Sequence, residues 1–409
     1  MSDKEIFDFS SMAEGYTGGM EYADLDLGSI DVIKIMKKKY EEEYRKMGCF
    51  NIMITGKTGV GKSTLVNAVF GQKVAETGIG RPVTQEIQVC AAPGVPLRIY
   101  DTVGIEINNV DKIKKDTIEL VQKNKGNMND MIHCIWYCVS GVGDRFETEE
   151  ENFIRSLATE CGIPVIVVIT KSYGKNSVKL KEHIDSIEDL HIKRSFRVLA
   201  DDFELDEEYT KKAFGCDKLV EYTSQIIPEE VKNAFVAVQK ANLALKKKRA
   251  EGIIAATVTI AFGTGFTPLP VADSLILVPT QIGMLASISL VYGIELKKST
   301  LKLLCSTLGG TATTTIVGKT IVSNLFKLIP GVGTVVGGFI SGSTASALTW
   351  ALGRVYIRLM ESIIRGEIDE KTIESEEYCK QFMDEIRENM NKKEEAESDS
   401  DAENESSVF

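Results

Sequence analysis

The segment GKTGVGKS, residues 56–63, has residue types and a spacing that could hold a polyphosphate. It follows the apolar run FNIMIT and opens a helical pattern, the context that the motif GxxxxGK followed by Ser or Thr requires. Glycines let backbone N–H groups curl around a phosphate, Lys62 suits the β- and γ-phosphate oxygens, and the Ser63 hydroxyl suits Mg²⁺. The segment therefore predicts a nucleoside triphosphate site. The residues predicted to bind the nucleotide here are Gly56, Lys57, Thr58, Gly59, Val60, Gly61, Lys62, Ser63 and Thr64.

Two further segments carry residues that suit a metal ion and a γ-phosphate. Asp101 ends the run LRIYD and begins DTVG, where its carboxylate would help to hold Mg²⁺ and the Gly104 N–H would bind the γ-phosphate. Thr84 lies in GIGRPVTQEIQ, whose glycines and proline suit a loop that becomes ordered when ligand binds. We predict Ser63, Thr84 and Asp101 as metal ligands, with an ordinary loop threonine as the alternative for Thr84.

Strand-like and helix-like segments alternate around these motifs. The strand-like runs are 50–55, 86–92, 97–101, 131–140, 164–170 and 195–200. The run PVIVVIT is almost wholly apolar, which is typical of a buried parallel strand. The alternation predicts a three-layer α/β domain with a mostly parallel sheet over residues 48–228, preceded by an arm and a helix over 1–47.

Four motifs together resemble a known class of proteins. GKTGVGKSTLVNAVFG, the threonine in RPVTQE, DTVG and the strand ending in TKSY are similar to those of a P-loop GTPase of the Era/septin-like (TRAFAC) class. That class also contains the immunity-related GTPases and bacterial proteins with a glycine-rich helical C-terminal domain of unknown function, which TPLPVADSLILVPTQIGM and NLFKLIPGVGTVVGG resemble. The resemblance implies binding of GTP and GDP, hydrolysis with Mg²⁺ as cofactor, and a homodimer formed through the G domain.

The resemblance also implies a base site, and here the pattern changes. In this class the strand ends in Asn or Thr followed by KxD, where the lysine covers the purine and the aspartate accepts from guanine N1 and N2. Thr170, Lys171 and Ser172 match the base-binding loop, but Tyr173 stands where the aspartate is expected.

The segment VLADDF, residues 198–203, matches the last base-contacting loop of the class. The Ala200 N–H would face guanine O6, and Asp201 or Asp202 would supply the missing acceptor. Because the surrounding motifs resemble those of the GTPase class, we expect GTP to be preferred over ATP.

Hydrolysis is expected to be slow because Ile105 follows Gly104, where Ras-like proteins carry the glutamine that orients water. Turnover would be on the order of 10⁻⁴–10⁻² s⁻¹ without that group. Arg145 is the candidate for charge stabilisation, within one chain or across a dimer, although it could instead pair with Glu147 or Glu149. The predicted catalytic residues are Lys62, Thr84, Gly104 and Arg145.

The composition changes after residue 228, where a long basic helix is predicted from Pro228 to Gly252. Residues 252–294 carry a single charge, and 328–353 carry none. The first region predicts two apolar helices, 252–267 and 274–294, flanked by LKKKR and LKK, a pattern that fits a hairpin with both ends on the cytosolic face of a membrane. A buried helical bundle explains the same apolarity. We predict an all-α, highly apolar domain over 229–390 that associates with membrane lipid.

Charge and cysteine usage limit the remaining classes. A net charge of −11 argues against nucleic-acid binding, and about half of it comes from the segment 391–409, which we predict to be a disordered acidic tail. The eight cysteines form no CxxC pair, and the N-terminus lacks the pattern of a signal peptide, so a cytoplasmic location is expected.

Three functions remain open at this point. The favoured one is a regulatory GTPase that couples its nucleotide state to a helical, membrane-associating domain. A nucleotide-binding scaffold with negligible hydrolysis is the second, since Ile105 and Tyr173 both permit it. A small-molecule kinase is less favoured, because Thr84 and DTVG suit a switch and no acceptor-binding motif is apparent.

Overall fold

The structure is a computed structural model of the 409-residue chain. It describes residues 32–71, 81–82, 87–92, 94–102, 110–143, 146–204, 209–264, 272–294 and 342–406. These residues form two compact units: one contains 45–246, and the other contains the described parts of 1–44 and 247–409.

The first unit is built on a seven-stranded sheet in the order β2-β3-β4-β1-β5-β6-β7. Its strands are β1 Phe50–Gly56, β2 Arg81–Pro82, β3 Ile87–Ala91, β4 Leu97–Thr102, β5 Cys134–Ser140, β6 Val165–Thr170 and β7 Arg194–Arg197. The five strands from β4 to β7 are parallel, whereas β3 and β2 run antiparallel at one edge. A separate pair, β8 Phe203–Glu204 and β9 Thr210–Lys211, follows β7. The predicted mostly parallel α/β sheet is thus confirmed.

Helices cover this sheet. Those of the first unit are α2 Lys62–Phe70, α3 Val110–Asn124, α4 Thr148–Glu160, α5 Asn176–Ser186, α6 Cys216–Ile226 and α7 Glu229–Val238. The strands β1, β5 and β6 are buried on both faces, which explains why their sequences are apolar without alternation. Trp136 of β5 stacks on Phe70 of α2 and donates to Thr223 of α6, so the central strand fixes both helices.

The predicted single helix from Pro228 to Gly252 is wrong. Helix α7 ends at Val238, and a new helix, α8 Leu243–Thr264, begins after a four-residue connector, 239–242. Gln239 and Asn242 hold the connector: the Gln239 side chain bonds both backbone groups of Asn242, and the Asn242 side chain accepts from the Leu245 N–H. A short amide side chain such as that of Asn242 competes with helical hydrogen bonds, which explains the break.

The second unit is helical in all the parts that are described. Its helices are α1 Val32–Lys46, α8 beyond residue 246, α9 Ala272–Tyr292, α10 Gly342–Arg365, α11 Glu370–Ile373 and α12 Glu376–Ser406. Polar pairs cross the packed faces of α9 and α10, with Gln281 to Thr349 at 3.1 Å and Ser289 to Tyr356 at 2.6 Å. In the described part of the chain, no helix combines the length and apolarity that crossing a membrane requires.

Helix α12, Glu376–Ser406, includes most of the acidic segment, whose disorder stays a prediction. Glutamate and alanine are good helix formers, and Lys392 pairs with Glu388 one turn earlier. The uncharged region 328–353 is described only from Gly342, where α10 begins.

Candidate functional site

The phosphate loop connects β1 to α2 at the middle of the sheet. Gly56 has a φ of 139°, and a Cβ there would lie 2.2 Å from the Cys138 carbonyl oxygen on β5, so the close approach of the strands requires glycine. Gly61, with a φ of 103°, turns the chain into α2. The Lys62 ammonium donates to the carbonyls of Gly56 at 2.9 Å and Lys57 at 3.2 Å, which holds it over the loop. The side chains of Ser63 and Thr64 are exposed on the first turn of α2.

A lysine within this loop is fixed by two carboxylates from the start of α4. The Lys57 ammonium lies 2.7 Å from Glu147 and 3.0 Å from Glu150, and the Glu150 side chain is only 5% exposed. Glu150 also accepts from the Glu147 N–H, completing a capping box at the helix N-terminus. Burial lowers the pKa of Lys57, but the hydrogen bonds to Glu147 and Glu150 outweigh burial and raise it overall. Lys57 therefore connects the phosphate loop to α4 as a charged group.

The donor set near the loop fits a magnesium ion. Asp101 pairs in register with Ile54 beside the end of β1, and its Oδ1 is buried without a hydrogen-bond partner among the described residues. Burial raises the pKa of Asp101, and the nearby Lys62 lowers it in part. An unsatisfied buried carboxylate oxygen is a hard ligand of the kind that Mg²⁺ prefers. Asp101 and the exposed Ser63 hydroxyl are therefore the described residues that could hold the ion.

The loop after β6 is attached directly to the phosphate loop. The Thr170 hydroxyl bonds the Val60 carbonyl and lies 3.0 Å from the Val139 carbonyl, while the Lys171 ammonium donates to the Gly59 carbonyl at 2.7 Å. Lys171 has a φ of 50°, a conformation that is costly for a side chain with a Cβ and is found most often at functional sites. The structure thus brings Thr170 and Lys171 together with residues 56–63.

Tyr173 is held by aromatic stacking. Its ring is parallel to that of Phe203 on β8, with 4.0 Å between the centroids and 3° between the planes. The Tyr173 carbonyl also accepts from the Lys211 ammonium on β9 at 3.0 Å. The β8–β9 hairpin therefore supports the loop that would read the base, through an aromatic side chain where a carboxylate is usual in the resembled class.

The segment 198–201 lies beside the same loop. The Ser172 N–H donates to the Val198 carbonyl at 3.2 Å, so the loop after β6 contacts this segment directly. Ala200 and Asp201 lie within three residues of Val198 along the chain. Asp201 has an exposed side chain. Asp202 instead bonds the Lys212 ammonium and the Ala213 N–H, both at 2.8 Å, and these bonds lower its pKa. Lys212 and Ala213, just after β9, occupy the Asp202 carboxylate, so Asp201 is the remaining predicted acceptor.

Several predicted site residues lie outside the described residues: Thr84, Gly104, Ile105 and Arg145. The alternative pairing of Arg145 with Glu147 meets a competitor, because Glu147 contacts Lys57. Sequence reasoning also missed Glu150 and Phe203. The capping-box spacing between Glu147 and Glu150 could have drawn attention to the first, whereas nothing in the local pattern indicates a contact between Phe203 and Tyr173.

Two regions of the chain match known protein families. Residues 51–171 match the family described as 50S ribosome-binding GTPase. Residues 231–383 match a domain of unknown function (DUF697).

Among curated proteins, the chain is 25% identical to septin-9 of Rattus norvegicus over 195 residues, which cover 41% of this chain and 34% of that protein. It is 29% identical to neuronal-specific septin-3 of Danio rerio over 174 residues, 36% of this chain and 47% of that one. The chain thus spans between about a third and a half of the length of these relatives.

Two solved structures were also matched. A probable GTP-binding protein engB is 21% identical, with 37% of this chain and 89% of that chain covered and a TM-score of 0.28. Era in complex with MgGDPNP and 16S ribosomal RNA is 23% identical, with 45% and 58% covered and a TM-score of 0.29. The family matches and the geometry of residues 56–63 together identify a P-loop GTPase domain, which is followed in this chain by a helical domain of unknown function.

Proposed function

We propose that this protein binds GTP with Mg²⁺, hydrolyses it slowly to GDP and phosphate, and couples its nucleotide state to the C-terminal helical domain. The observation that carries the proposal is the joined phosphate and base site. Lys62 lies over the loop carbonyls, Asp101 has a buried oxygen without a partner among the described residues, and Lys171 bonds the same loop from β6. Phosphate, metal and base contacts would thus come from one connected set of residues.

Guanine would be read without the usual carboxylate. In this proposal the Lys171 side chain covers the purine, the Ala200 N–H faces O6, and Asp201 accepts from N1 and N2. The stacked pair Tyr173 and Phe203 supports the loop instead of contacting the donors of the base. The absence of a glutamine after Gly104 accounts for slow turnover, and Arg145 is the proposed source of charge stabilisation, acting within one chain or across a dimer of G domains.

Coupling to the helical domain is supported by a contact at the far end of α2. The Lys240 N–H in the connector donates to the Val69 carbonyl at 2.7 Å, and the Lys240 side chain packs over Gly71, where a Cβ would lie 2.6 Å from its Nζ. Because α2 begins at the phosphate loop and the connector leads into α8, a shift of α2 would be passed to the first helix of the C-terminal domain.

Membrane association of that domain, on the cytosolic face, is part of the proposal as peripheral docking. A soluble GTPase with a buried helical bundle is the second candidate, and the buried contacts of Gln281 and Ser289 with α10 favour it. One measurement distinguishes membrane docking from the soluble bundle: sedimentation of the full chain with anionic lipid vesicles in the presence of GTP, GDP or no nucleotide. Docking predicts nucleotide-dependent sedimentation, whereas equal and negligible sedimentation in every state supports the bundle.

Hydrolysis is tested by phosphate release from GTP with Mg²⁺. We expect slow release that is lost in Lys62→Ala, because the variant lacks the ammonium that contacts the phosphates. Release that persists in Lys62→Ala would contradict the proposed site. Tight GTP binding with no release in the wild type would instead support a nucleotide-binding scaffold.

A further inference from the structure

We infer that a cavity beside β7 is a second anion site, which binds a small molecule carrying at least two phosphate groups. This cavity, called here the β7 pocket, has a volume of about 420 Å³ and is lined by the cations Lys181, Arg194, Arg197 and Lys218 and the rings of Phe196 and Phe214. It lies at the outer edge of the sheet, and β6 and β5 separate β7 from the strand that carries the phosphate loop.

The charge of the β7 pocket is opposite to that of the chain. Four cations and one carboxylate, that of Asp217, line it, and the adjacent Asp185 pairs with Lys181. Four positive groups against two negative ones leave an excess of two positive charges, on a chain with a net charge of −11. A local positive field in an acidic protein selects anionic ligands and raises their local concentration.

The two guanidinium groups are fixed in orientation by aromatic rings. Arg194 lies 5.5 Å from the ring centroids of both Phe196 and Tyr222, and Arg197 lies 5.6 Å from that of Phe214. Stacking holds the plane of a guanidinium, and in Arg194 it leaves the edge N–H groups free to bind a phosphate in a bidentate manner. Among the described residues, Arg194 forms no hydrogen bond or ion pair, so its donors are available.

Backbone donors add to these cations. Gly215, with a φ of 88°, precedes α6, and no side chain of the described residues caps the helix N-terminus. Gly215 itself lines the pocket, and a Cβ there would lie 2.2 Å from the Arg197 carbonyl oxygen, so the turn can pack against β7 only with glycine. The first N–H groups of an eleven-residue helix therefore border the same cavity as the guanidinium groups, an arrangement that favours phosphate.

The chemistry and size of the β7 pocket define the ligand class. Arginines at 194 and 197 and a lysine at 218 could engage two phosphate groups at once, whereas a single carboxylate would leave cations unsatisfied. The volume suits a sugar or inositol phosphate, either free or as the headgroup of a phospholipid. Arg197 also donates to Ser177 at 3.1 Å and lies 3.4 Å from the Ser172 carbonyl, so the site borders the base-binding loop.

The test is calorimetric titration of the full chain with inorganic pyrophosphate, in a Lys62→Ala background that disables the phosphate loop. We expect binding to persist in Lys62→Ala and to weaken at least about tenfold when Arg194→Gln and Lys218→Gln are added. The matched control adds Lys179→Gln and Lys193→Gln to the same Lys62→Ala background. These two lysines are exposed and do not line the β7 pocket, and their replacement removes the same total charge as the pocket variant does. Similar affinities for the pocket variant and the control variant, or no binding to Lys62→Ala at all, would overturn the inference.

A second arm distinguishes the sources of the ligand. Inositol trisphosphate in solution is compared with phosphatidylcholine vesicles that contain phosphatidylinositol bisphosphate, with the same variants. Binding of either probe that is lost in the pocket variant supports the site, and the probe that binds more tightly identifies the source. If the double substitution prevents folding, as judged by circular dichroism, the exposed single variant Lys218→Gln replaces it, and an affinity unchanged from Lys62→Ala would count against the site. The outcome is independent of the proposed GTPase activity, since the phosphate loop is disabled throughout.

Discussion

The contact between Lys57 and the start of α4 gives a prediction whose size can be worked out from the structure. Lys57→Met removes the cation that faces Glu150, a carboxylate whose side chain is 5% exposed. Removing one partner of a buried ion pair costs about 3–5 kcal/mol, because the other charge stays buried without compensation. Lys57 is 33% exposed, so water screens part of the loss. We therefore expect a destabilisation of about 2 kcal/mol.

The assay is urea unfolding of the first unit, followed by Trp136 fluorescence in a Trp350→Phe background. The chain has two tryptophans, and only Trp136 lies in the unit that contains Lys57. Nucleotide affinity should fall by about tenfold in Lys57→Met, since the phosphate loop loses its attachment to α4. Adding Glu150→Gln removes the buried charge and should restore about 1 kcal/mol of stability.

The control is Lys114→Met. Lys114 pairs with Glu160 at 3.1 Å and is as exposed as Lys57, at 34%, but its partner Glu160 is 46% exposed and not buried as Glu150 is. Exposed pairs contribute between about 0 and 1 kcal/mol, so this variant should be close to the wild type. The reasoning is refuted if Lys57→Met is no less stable than Lys114→Met, or if Glu150→Gln makes the Lys57 variant still less stable.

Three further predictions concern buried groups and the connector. Burial raises the pKa of Asp101 above its usual 3.8. In the absence of metal, the contribution of Asp101 to the free energy of unfolding therefore falls as the pH rises above 3.8. Asp101→Asn should therefore be more stable than the wild type without Mg²⁺ at neutral pH, yet lose Mg²⁺-dependent nucleotide binding; equal Mg²⁺ dependence would contradict this. Burial, aided by Lys240, lowers the pKa of Lys246 to about 7, so the unfolded state binds one more proton between about pH 7 and 10.5. The unfolding free energy of the wild type minus that of Lys246→Met should therefore rise with pH over that range, by up to about 1.4 kcal/mol per pH unit. A difference that does not change with pH would contradict this prediction. Lys240→Pro removes the N–H that bonds α2, whereas Lys240→Ala keeps it; only the proline variant should lose nucleotide-dependent changes in hydrogen exchange of α8.

The phosphate site could be predicted from sequence because its information is local. Eight consecutive residues, 56–63, specify the loop, and the apolar runs before and after it specify the strand and helix. The parallel sheet follows in the same way, since each buried strand is a short apolar segment with helices between.

Contacts between distant segments could not be predicted. Glu150 is 93 residues from Lys57, and only folding shows that α4 begins beside the phosphate loop. The stacking of Tyr173 on Phe203 likewise depends on a hairpin of two short strands, which carries little periodic signal. The break at 239–242 was missed because Gln239 and Asn242 act through side-chain bonds to the backbone, which helix periodicity does not register.

The central claim is that this site binds guanine nucleotides although Tyr173 replaces the usual carboxylate. The most direct test is competition of GTP against ATP for the Mg²⁺-loaded protein, with the wild type and Tyr173→Asp measured side by side. The account predicts that the wild type prefers GTP at least about tenfold, and that Asp201→Ala removes most of this preference. Equal affinity of the wild type for GTP and ATP, or a preference for ATP, would contradict it.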